Sequence, residues 1–450
     1  MMAGRGSSKG VTAKRGPREH HENRMLVQSR GYFRRLGPGI VTGAADDDPS
    51  GIGTYSQAGA AAGYGFLWSA VWLLPLAFAV QEACARLALV TGKGLAAIIK
   101  ARMPRWVLVV AVLLVAVANT VNIAADLASM AAAFRLIIPI NQAIGVIGFA
   151  MILAITEITI PYHRYSKALR WLCLSLLAYV AVLFVAQVDW GQVATATFLF
   201  QVDGRPAFDF TKLSFELLIA LAGTTISPYL FFWQAAEEVE ERKQRPADFE
   251  IDGKHPGGVN ENHVRAMRGD VFSGMLTGVF IMFAIMATSA ATLNAQGITN
   301  IQTAEDAAQA LRPIAGDFAG LLFLLGILGV GLLSIPVLAG STAYAIAETF
   351  GWRESLELAP RQAKAFYGVI VVSMLVALSL NFVGIPPIQF LLVAAILNGL
   401  SAPILMVIVW FLAKDKNLLG RWASPFWSKL LLGIATLAMG SLPICWLLAK

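Results

Sequence analysis

The chain has 450 residues, of which 57% are hydrophobic and only 14% are charged. Soluble domains are roughly half apolar and about a quarter charged, so this composition excludes a water-soluble globular protein. The net charge of +7 is spread over short clusters between long apolar runs, which argues against a nucleic-acid-binding protein. The three cysteines (Cys84, Cys173 and Cys445) lie far apart inside apolar runs and predict neither a disulfide framework nor a zinc site. These features indicate an all-α polytopic membrane protein.

A helix needs about 20 apolar residues to cross the bilayer core. Apolar runs of this length recur along the whole sequence. We predict about 11 spans, at residues 37–62, 66–91, 107–134, 143–160, 168–188, 211–236, 269–294, 317–349, 363–382, 387–413 and 427–448. The first 30 residues are polar and basic and lack an apolar core of signal-peptide length. We therefore predict a disordered cytosolic tail over 1–30.

The basic residues define an orientation. With the amino terminus inside, 29 of the 35 Lys and Arg residues fall in cytosolic segments. This bias follows the positive-inside rule. We predict a multi-pass protein of the cytoplasmic membrane, with its amino terminus in the cytosol and its carboxyl terminus outside.

The first span is interrupted at its middle by the run DDDPSG at residues 46–51. Proline removes a backbone donor and crowds the preceding turn, and each charge at bilayer depth costs about 2.5–3.5 kcal/mol. This cost indicates functional carboxylates inside the membrane. The alternative, an outer loop between two shorter spans, conflicts with the shortness of residues 37–45 and with the charge count.

The sixth span contains a second break, the run GTTISPY at residues 223–229. It lies in the first helix of a second set of five spans, and because five is odd the two sets enter from opposite sides. Paired interrupted helices in two inverted halves indicate the substrate site of a secondary transporter. The predicted division is a first repeat at 31–210, a second repeat at 211–413 with a cytosolic loop at 237–268, and a peripheral eleventh span within 414–450.

The breaks offer ligands for a hard cation. Such ions bind carboxylate, carbonyl and hydroxyl oxygens, which Asp48, the backbone near Thr224 and the Ser227 hydroxyl could supply. An organic carboxylate would be repelled by three aspartates. The residues therefore favour a cation as the substrate.

The third span carries a polar stripe formed by Asn119, Asn122, Asp126 and Ser129. Their spacing of three, four and three residues puts them on one helix face. We interpret Asp126, with Asn122 and Ser129, as a candidate proton or cation relay. The alternative is a buried carboxylate held for structural reasons only.

Three further polar residues are candidates for the wall of the site. Tyr229 follows the second break and either forms a gate wall or packs in the core. Asn398 and Ser401 lie three residues apart in the tenth span, and either reach the site or pack between helices.

The sequence resembles the Nramp (natural resistance-associated macrophage protein) family of metal transporters. The matching runs are GPG at 37–39, DP at 48–49, QAGA at 57–60, GYG at 63–65, LW at 67–68, DLA at 126–128 and the Ser-Pro break of the sixth span. The resemblance implies a LeuT-type 5+5 inverted repeat with discontinuous helices 1 and 6. It also implies transport of divalent transition metals into the cytosol, usually with protons, and it makes Asp48 a metal ligand.

Several positions depart from the family's pattern. The first break usually reads Asp-Pro-Gly-Asn, whereas Gly51 offers only its backbone. The sixth break usually reads Met-Pro-His, whereas Ser227 and Tyr229 stand here. A thioether favours soft metals and a hydroxyl does not. In the third span Ser129 replaces the usual acid. These departures shift the expected preference towards manganese or magnesium and leave proton coupling open.

Two further aspartates precede the first break. One interpretation is that Asp46 and Asp47 add metal ligands, and the backbone carbonyl of Asp46 is then a candidate ligand too. The other is that both carboxylates face the outer vestibule and attract cations as an electrostatic funnel. We favour the funnel.

We therefore expect a secondary transporter that moves divalent cations of the Mn²⁺ or Fe²⁺ type by alternating access. The expected partners are the transported metal ion and the lipid bilayer, with protons left open; no cofactor, nucleic acid or obligate protein partner is expected. The alternatives are a magnesium transporter without proton coupling and a sodium-coupled carrier of small solutes on the same fold. An enzyme is not expected, because no apolar span carries a metal-binding pair such as HExxH.

Overall fold

The computed structural model describes Gly43 and residues 46–160, 174–244 and 258–449. The predicted tail over 1–30 and most of the cytosolic loop after residue 244 lie outside this part of the chain. Parts of the first and fifth predicted spans lie outside it as well.

Helices dominate the described residues. Those of the amino-terminal part are α1 (Pro49–Ala62), α2 (Leu67–Thr91), α3 (Leu95–Arg102), α4 (Arg105–Arg135), α5 (Gln142–Thr159), α6 (Leu177–Val185) and α7 (Trp190–Ala194). Those of the carboxyl-terminal part are α8 (Lys212–Thr225), α9 (Pro228–Gln244), α10 (Glu261–Thr292), α11 (Ala304–Ala308), α12 (Arg312–Ala315), α13 (Ala319–Phe350), α14 (Lys364–Leu380), α15 (Pro387–Ala413), α16 (Lys416–Leu419) and α17 (Phe426–Leu448). Between α7 and α8, β1 (Gln201–Val202) pairs antiparallel with β2 (Arg205–Pro206).

These helices confirm the prediction of an all-α polytopic membrane protein. Within the described residues nine segments are long and apolar enough to cross a bilayer, or ten if the bent pair Leu174–Val185 and Trp190–Leu199 is one span. The count is lower than the predicted eleven for two reasons. The helices α1 and α2 are joined by a 3₁₀ turn at Gly63–Phe66 and count as one segment, Pro49–Thr91, and the fifth predicted span is described only in part.

Both predicted breaks are present, and each has a local cause. The helix α1 begins at Pro49, where a missing N–H costs nothing because the first helical amides have no partner within the helix. Asp48 caps it by accepting a hydrogen bond from the backbone N–H of Gly51 at 2.8 Å. The sixth span divides into α8, which ends at Thr225, and α9, which begins at Pro228.

Glycines bring the broken helices close to their neighbours. A Cβ at Gly59 of α1 would collide with the Met286 carbonyl of α10. A Cβ at Gly223 of α8 would collide with the Ala395 carbonyl and with Gly399 of α15. Small residues at such crossings let backbones approach and pack in membranes. The breaks are therefore held against α10 and α15.

The core of the bundle surrounds the two breaks. The long helix α4 packs along α13 and α15, and α10 packs against α1 and α2. Among the largest fully buried side chains are Tyr55, Tyr229 and Trp233, which lie just after the breaks.

Candidate cation-binding site

Asp48 is the centre of a hydrogen-bonded group at the start of α1. Its Oδ1 accepts hydrogen bonds from the Ser50 hydroxyl at 2.6 Å and from the Gly51 amide at 2.8 Å. Its Oδ2 accepts one from Asn122 Nδ2 of α4 at 2.6 Å. The side chain is 2% exposed. Asp48 therefore links the first break to the polar stripe of the third span.

Asp46 and Asp47 are also buried, at 1% and 3% exposure. One carboxylate oxygen of each is enclosed and has no hydrogen-bond partner in the described part of the chain. Asp46 packs beside Gly278 of α10. Both carboxylates are enclosed where the helix segment before the break packs against α10, and their role as ligands or as vestibule charges stays a prediction.

Asp126 lies on the α4 face that points to the break. Its Oδ2 accepts a hydrogen bond from the Ser334 hydroxyl of α13 at 3.2 Å, and its Oδ1 has no partner among the described residues. Asp126 lies beside the backbone of Ser50 and within electrostatic range of Asp48. The structure thus brings Asp126 and Asn122 to the same place as the first break.

The second break presents backbone and hydroxyl oxygens. The Ser227 hydroxyl donates to the carbonyls of Gly223 and Thr224, both at 2.8 Å. The Thr224 hydroxyl donates to carbonyls of its own helix. Both side chains are 1% exposed. Both hydroxyls are thus hydrogen-bonded to carbonyls at the end of α8.

Tyr229 and Tyr55 join the two breaks. Tyr229 is fully buried and lies within electrostatic range of Asp46, Asp48 and Asp126, and of Tyr55 as well. The Tyr55 hydroxyl faces the hydroxyls of Thr224 and Thr225 across from α1. Sequence reasoning missed Tyr55, although its position two helical turns after Asp48 places both on the same face of α1.

The remaining candidates lie further from the carboxylates or are satisfied locally. Ser129 donates to the Asp126 carbonyl of its own helix, and Ser401 donates to carbonyls of α15. Ser129 also lines a small apolar cavity that includes Ile52 and Ile301. Asn398 is fully buried, and neither of its amide atoms has a partner in the described residues. Its neighbour Gly399 packs on Gly223 at the second break, and no hydrogen bond in the described residues joins Asn398 with Asp48.

The site is a concentration of negative charge. The pairs Asp46–Asp47, Asp46–Asp48 and Asp47–Asp48 interact electrostatically, and Asp126 interacts with Asp48. Across the described ranges none of the four forms an ion pair with Lys or Arg. In the same part of the chain no three His, Cys, Asp or Glu side chains converge as a permanent metal site would require. The described side chains therefore gather carboxyl groups at the break without forming a complete metal site.

Solved structures share this architecture. A manganese transporter of Eremococcus coleocola aligns with a TM-score of 0.69 and 18% identity, covering 92% of this chain and 86% of that one. Mhp1, a nucleobase-cation-symport-1 family transporter, aligns with a TM-score of 0.55 and 14% identity, covering 92% and 90%. These likenesses define the class of fold: a LeuT-type helical membrane protein with discontinuous first and sixth spans.

The sequence comparisons define the family. The model for natural resistance-associated macrophage protein-like sequences, Nramp, matches residues 39–449. The divalent metal cation transporter MntH of Klebsiella pneumoniae (strain 342) is 26% identical over 399 residues, which cover 88% of this chain and 89% of that protein. MntH of Erwinia tasmaniensis is 28% identical over 312 residues, covering 68% and 70%. The chain belongs to the Nramp family.

Family membership confirms the resemblance drawn from the breaks. The MntH relatives are named as transporters and not as enzymes, in agreement with the expectation that this chain is not an enzyme. Membrane location is confirmed at the level of the family and of the apolar helices.

Proposed function

We propose that this protein moves divalent metal cations, with Mn²⁺ as the reference substrate, across the cytoplasmic membrane by alternating access. The observation that carries the proposal is the group of four buried carboxylates at the meeting point of two broken helices, without a Lys or Arg partner in the described residues. Buried charge must be compensated or neutralised. A cation that arrives and leaves compensates it in a transporter.

The proposed ligands follow from the contacts. Asp48 is the principal ligand, and Asp46 contributes its carboxylate or carbonyl. The Ser227 hydroxyl, the Thr224 carbonyl and the Gly51 backbone supply neutral oxygens. The oxygen-only character of this set favours hard cations, so magnesium transport without proton coupling is the second candidate function.

The remaining parts of the proposal concern protons and orientation. Asp126 lies beside the Ser50 backbone at the break and is the proposed relay, and Asn122, one helical turn earlier on α4, donates a hydrogen bond to Asp48. We place the amino terminus in the cytosol and the carboxyl terminus outside, on the basis of the Lys and Arg distribution. The two five-helix repeats and a peripheral eleventh span complete the proposed organisation.

The decisive experiment is ion uptake into proteoliposomes that contain only the purified protein. Mn²⁺, Mg²⁺, Fe²⁺ and Cd²⁺ are supplied outside, with a metal indicator and separately a pH indicator inside. We expect uptake of Mn²⁺ or Mg²⁺ that Asp48→Asn reduces at least about tenfold, because the variant loses one ligand charge. The matched control Asp317→Asn changes an exposed aspartate and should transport normally.

Two results would reject the proposal. One is the absence of uptake of every divalent ion by the unaltered protein. The other is full uptake by Asp48→Asn. Acidification of the vesicle interior during Mn²⁺ uptake, lost in Asp126→Asn, would identify proton co-transport; metal uptake at constant internal pH would identify the uncoupled alternative.

A further inference from the structure

Gly51 leaves an empty position in the first break, and Tyr55 fills it. A Cβ built on Gly51 would lie 3.2 Å from the Tyr55 hydroxyl and 3.2 Å from its ring carbon Cε2. The Gly51 amide is bonded to Asp48 at 2.8 Å, so the phenol lies beside the residue that binds the principal carboxylate. A side chain at residue 51 would compete with the phenol for the same space.

The surroundings of the phenol are polar although the residue is buried. Tyr55 is 1% exposed, and its hydroxyl faces those of Thr224 and Thr225. It lies within electrostatic range of Asp46 and Asp47. A core tyrosine with a purely packing role has no need of carboxylates on one side and an interrupted helix on the other.

We propose that the Tyr55 hydroxyl is a specificity-determining ligand of the cation site, supplying the neutral oxygen that Gly51 lacks. This inference rests on the proposed function, because it concerns the ion that the two breaks hold. The phenol comes from α1 and meets the hydroxyls of Thr224 and Thr225 on α8, so it lies where oxygens of both broken helices come together.

The chemistry of the phenol sets the direction of the selectivity. A neutral hydroxyl is a hard ligand and suits Mg²⁺, Ca²⁺ and Mn²⁺, whereas it adds little for soft ions. Its rigid ring fixes the oxygen in place, and a fixed oxygen discriminates between ions of different radius. Loss of the hydroxyl should therefore weaken the binding of Mg²⁺ and Mn²⁺ more than the binding of Cd²⁺.

The test is Tyr55→Phe, which removes one oxygen and retains the ring. We expect Mn²⁺ uptake in proteoliposomes to fall roughly tenfold, as for the loss of one bond to a charged group, with a smaller fall for Cd²⁺. The matched control is Tyr179→Phe. Tyr179 is also buried, and its hydroxyl faces Ser56 and not a carboxylate, so its removal should leave the ion order unchanged.

A rescue separates ligation from packing. In Tyr55→Ala the space beside residue 51 opens, and Gly51→Asn added to that variant returns a side-chain oxygen to the break. We expect the double variant to recover Mn²⁺ uptake relative to Tyr55→Ala, whereas Gly51→Asn alone should lose uptake because of the close tyrosine ring.

The outcomes are distinct. An unchanged ratio of Mn²⁺ to Cd²⁺ uptake in Tyr55→Phe would overturn the inference. Failure of Gly51→Asn to restore Mn²⁺ uptake in Tyr55→Ala would overturn it as well. Both results would leave the proposed function intact. Absence of uptake by the unaltered protein would reject the proposed function itself. Calorimetric binding of Mn²⁺ and of Cd²⁺ to folded Tyr55→Phe, compared with the unaltered protein, gives the same ratio independently of transport.

Discussion

At the scale of single residues, the second break illustrates how one substitution changes the character of a site. Ser227 stands where the family usually has methionine, and its hydroxyl caps the carbonyls at the end of α8. A thioether could not donate these bonds, but it would offer a soft ligand. The serine therefore stabilises the broken backbone and keeps the ligand set composed of oxygen.

This interpretation predicts a change of selectivity in Ser227→Met. Cd²⁺ uptake should rise relative to Mg²⁺ by roughly tenfold, because sulfur favours soft ions. Competition between the two ions in proteoliposomes measures the ratio. The control Ser379→Met makes the same change at an exposed serine that is also bonded to its own helix. An unchanged ratio in Ser227→Met would show that residue 227 does not face the ion.

At the scale of elements, the breaks themselves could be predicted from the sequence, but the contacts that join them could not. Asp48-Pro49 and Ser227-Pro228 are local signals, since proline and buried charge act on their own helix. The contact of Tyr55 with Thr224 and Thr225 depends on the packing of α1 against α8, for which a tyrosine in an apolar run gives no signal. The packing of Asp46 beside Gly278 of α10 likewise depends on a contact between helices that the run of aspartates does not specify.

A second unpredicted contact closes the end of α1. The outer cap, which we define as residues 293–308, follows α10 and lies on the outer side in the proposed orientation. Gln57 of α1 donates to the Thr299 carbonyl at 3.1 Å and accepts from the Ile301 amide at 2.8 Å. Asn294 donates to the Ala60 carbonyl at 2.7 Å. Both ends of one amide thus hold the outer cap over α1.

The outer cap should open when this amide is lost. Ile301 is 2% exposed and lines the small cavity above α1. In an Ile301→Cys background, Gln57→Ala should increase the labelling rate by a membrane-impermeant thiol reagent several-fold, since two hydrogen bonds of about 1 kcal/mol each are removed. Gln192→Ala removes a glutamine that bonds to Asp203 away from the cap, and serves as the control. Equal labelling in all variants would exclude a closing role for Gln57.

At the scale of the whole molecule, a buried ionic group connects the proposed peripheral span to the bundle. Glu82 and Arg86 of α2 form an ion pair, and their side chains are 1% and 4% exposed. Glu82 also accepts a hydrogen bond from Ser428 of α17 at 3.0 Å and lies 3.4 Å from Arg268 Nε of α10. Arg86 donates to the Trp422 carbonyl at 3.4 Å. Three spans therefore meet at one carboxylate.

We expect the stability of the fold to fall more when one member of the buried pair Glu82–Arg86 is replaced than when both are replaced together. Glu82→Leu leaves the Arg86 guanidinium buried without its carboxylate, which costs about 3–5 kcal/mol. Glu82→Leu with Arg86→Leu removes both charges and should cost clearly less, because apolar side chains replace a desolvated pair. Thermal unfolding in detergent should rank the double variant above Glu82→Leu in midpoint temperature.

The comparison has an internal reference in an exposed pair. Arg102 Nη1 and Asp415 Oδ2 are 3.7 Å apart, with side chains 38% and 27% exposed, and Arg102→Leu should cost no more than about 1 kcal/mol because solvent screens the pair. The opposite result is a double variant at residues 82 and 86 whose midpoint temperature is lower than that of Glu82→Leu. It would show that α17 is held by the ion pair itself, and that the loss in Glu82→Leu does not come from an unpaired buried arginine. The carboxylate would then act as an anchor among three helices, and replacement by matched apolar volume could not reproduce it.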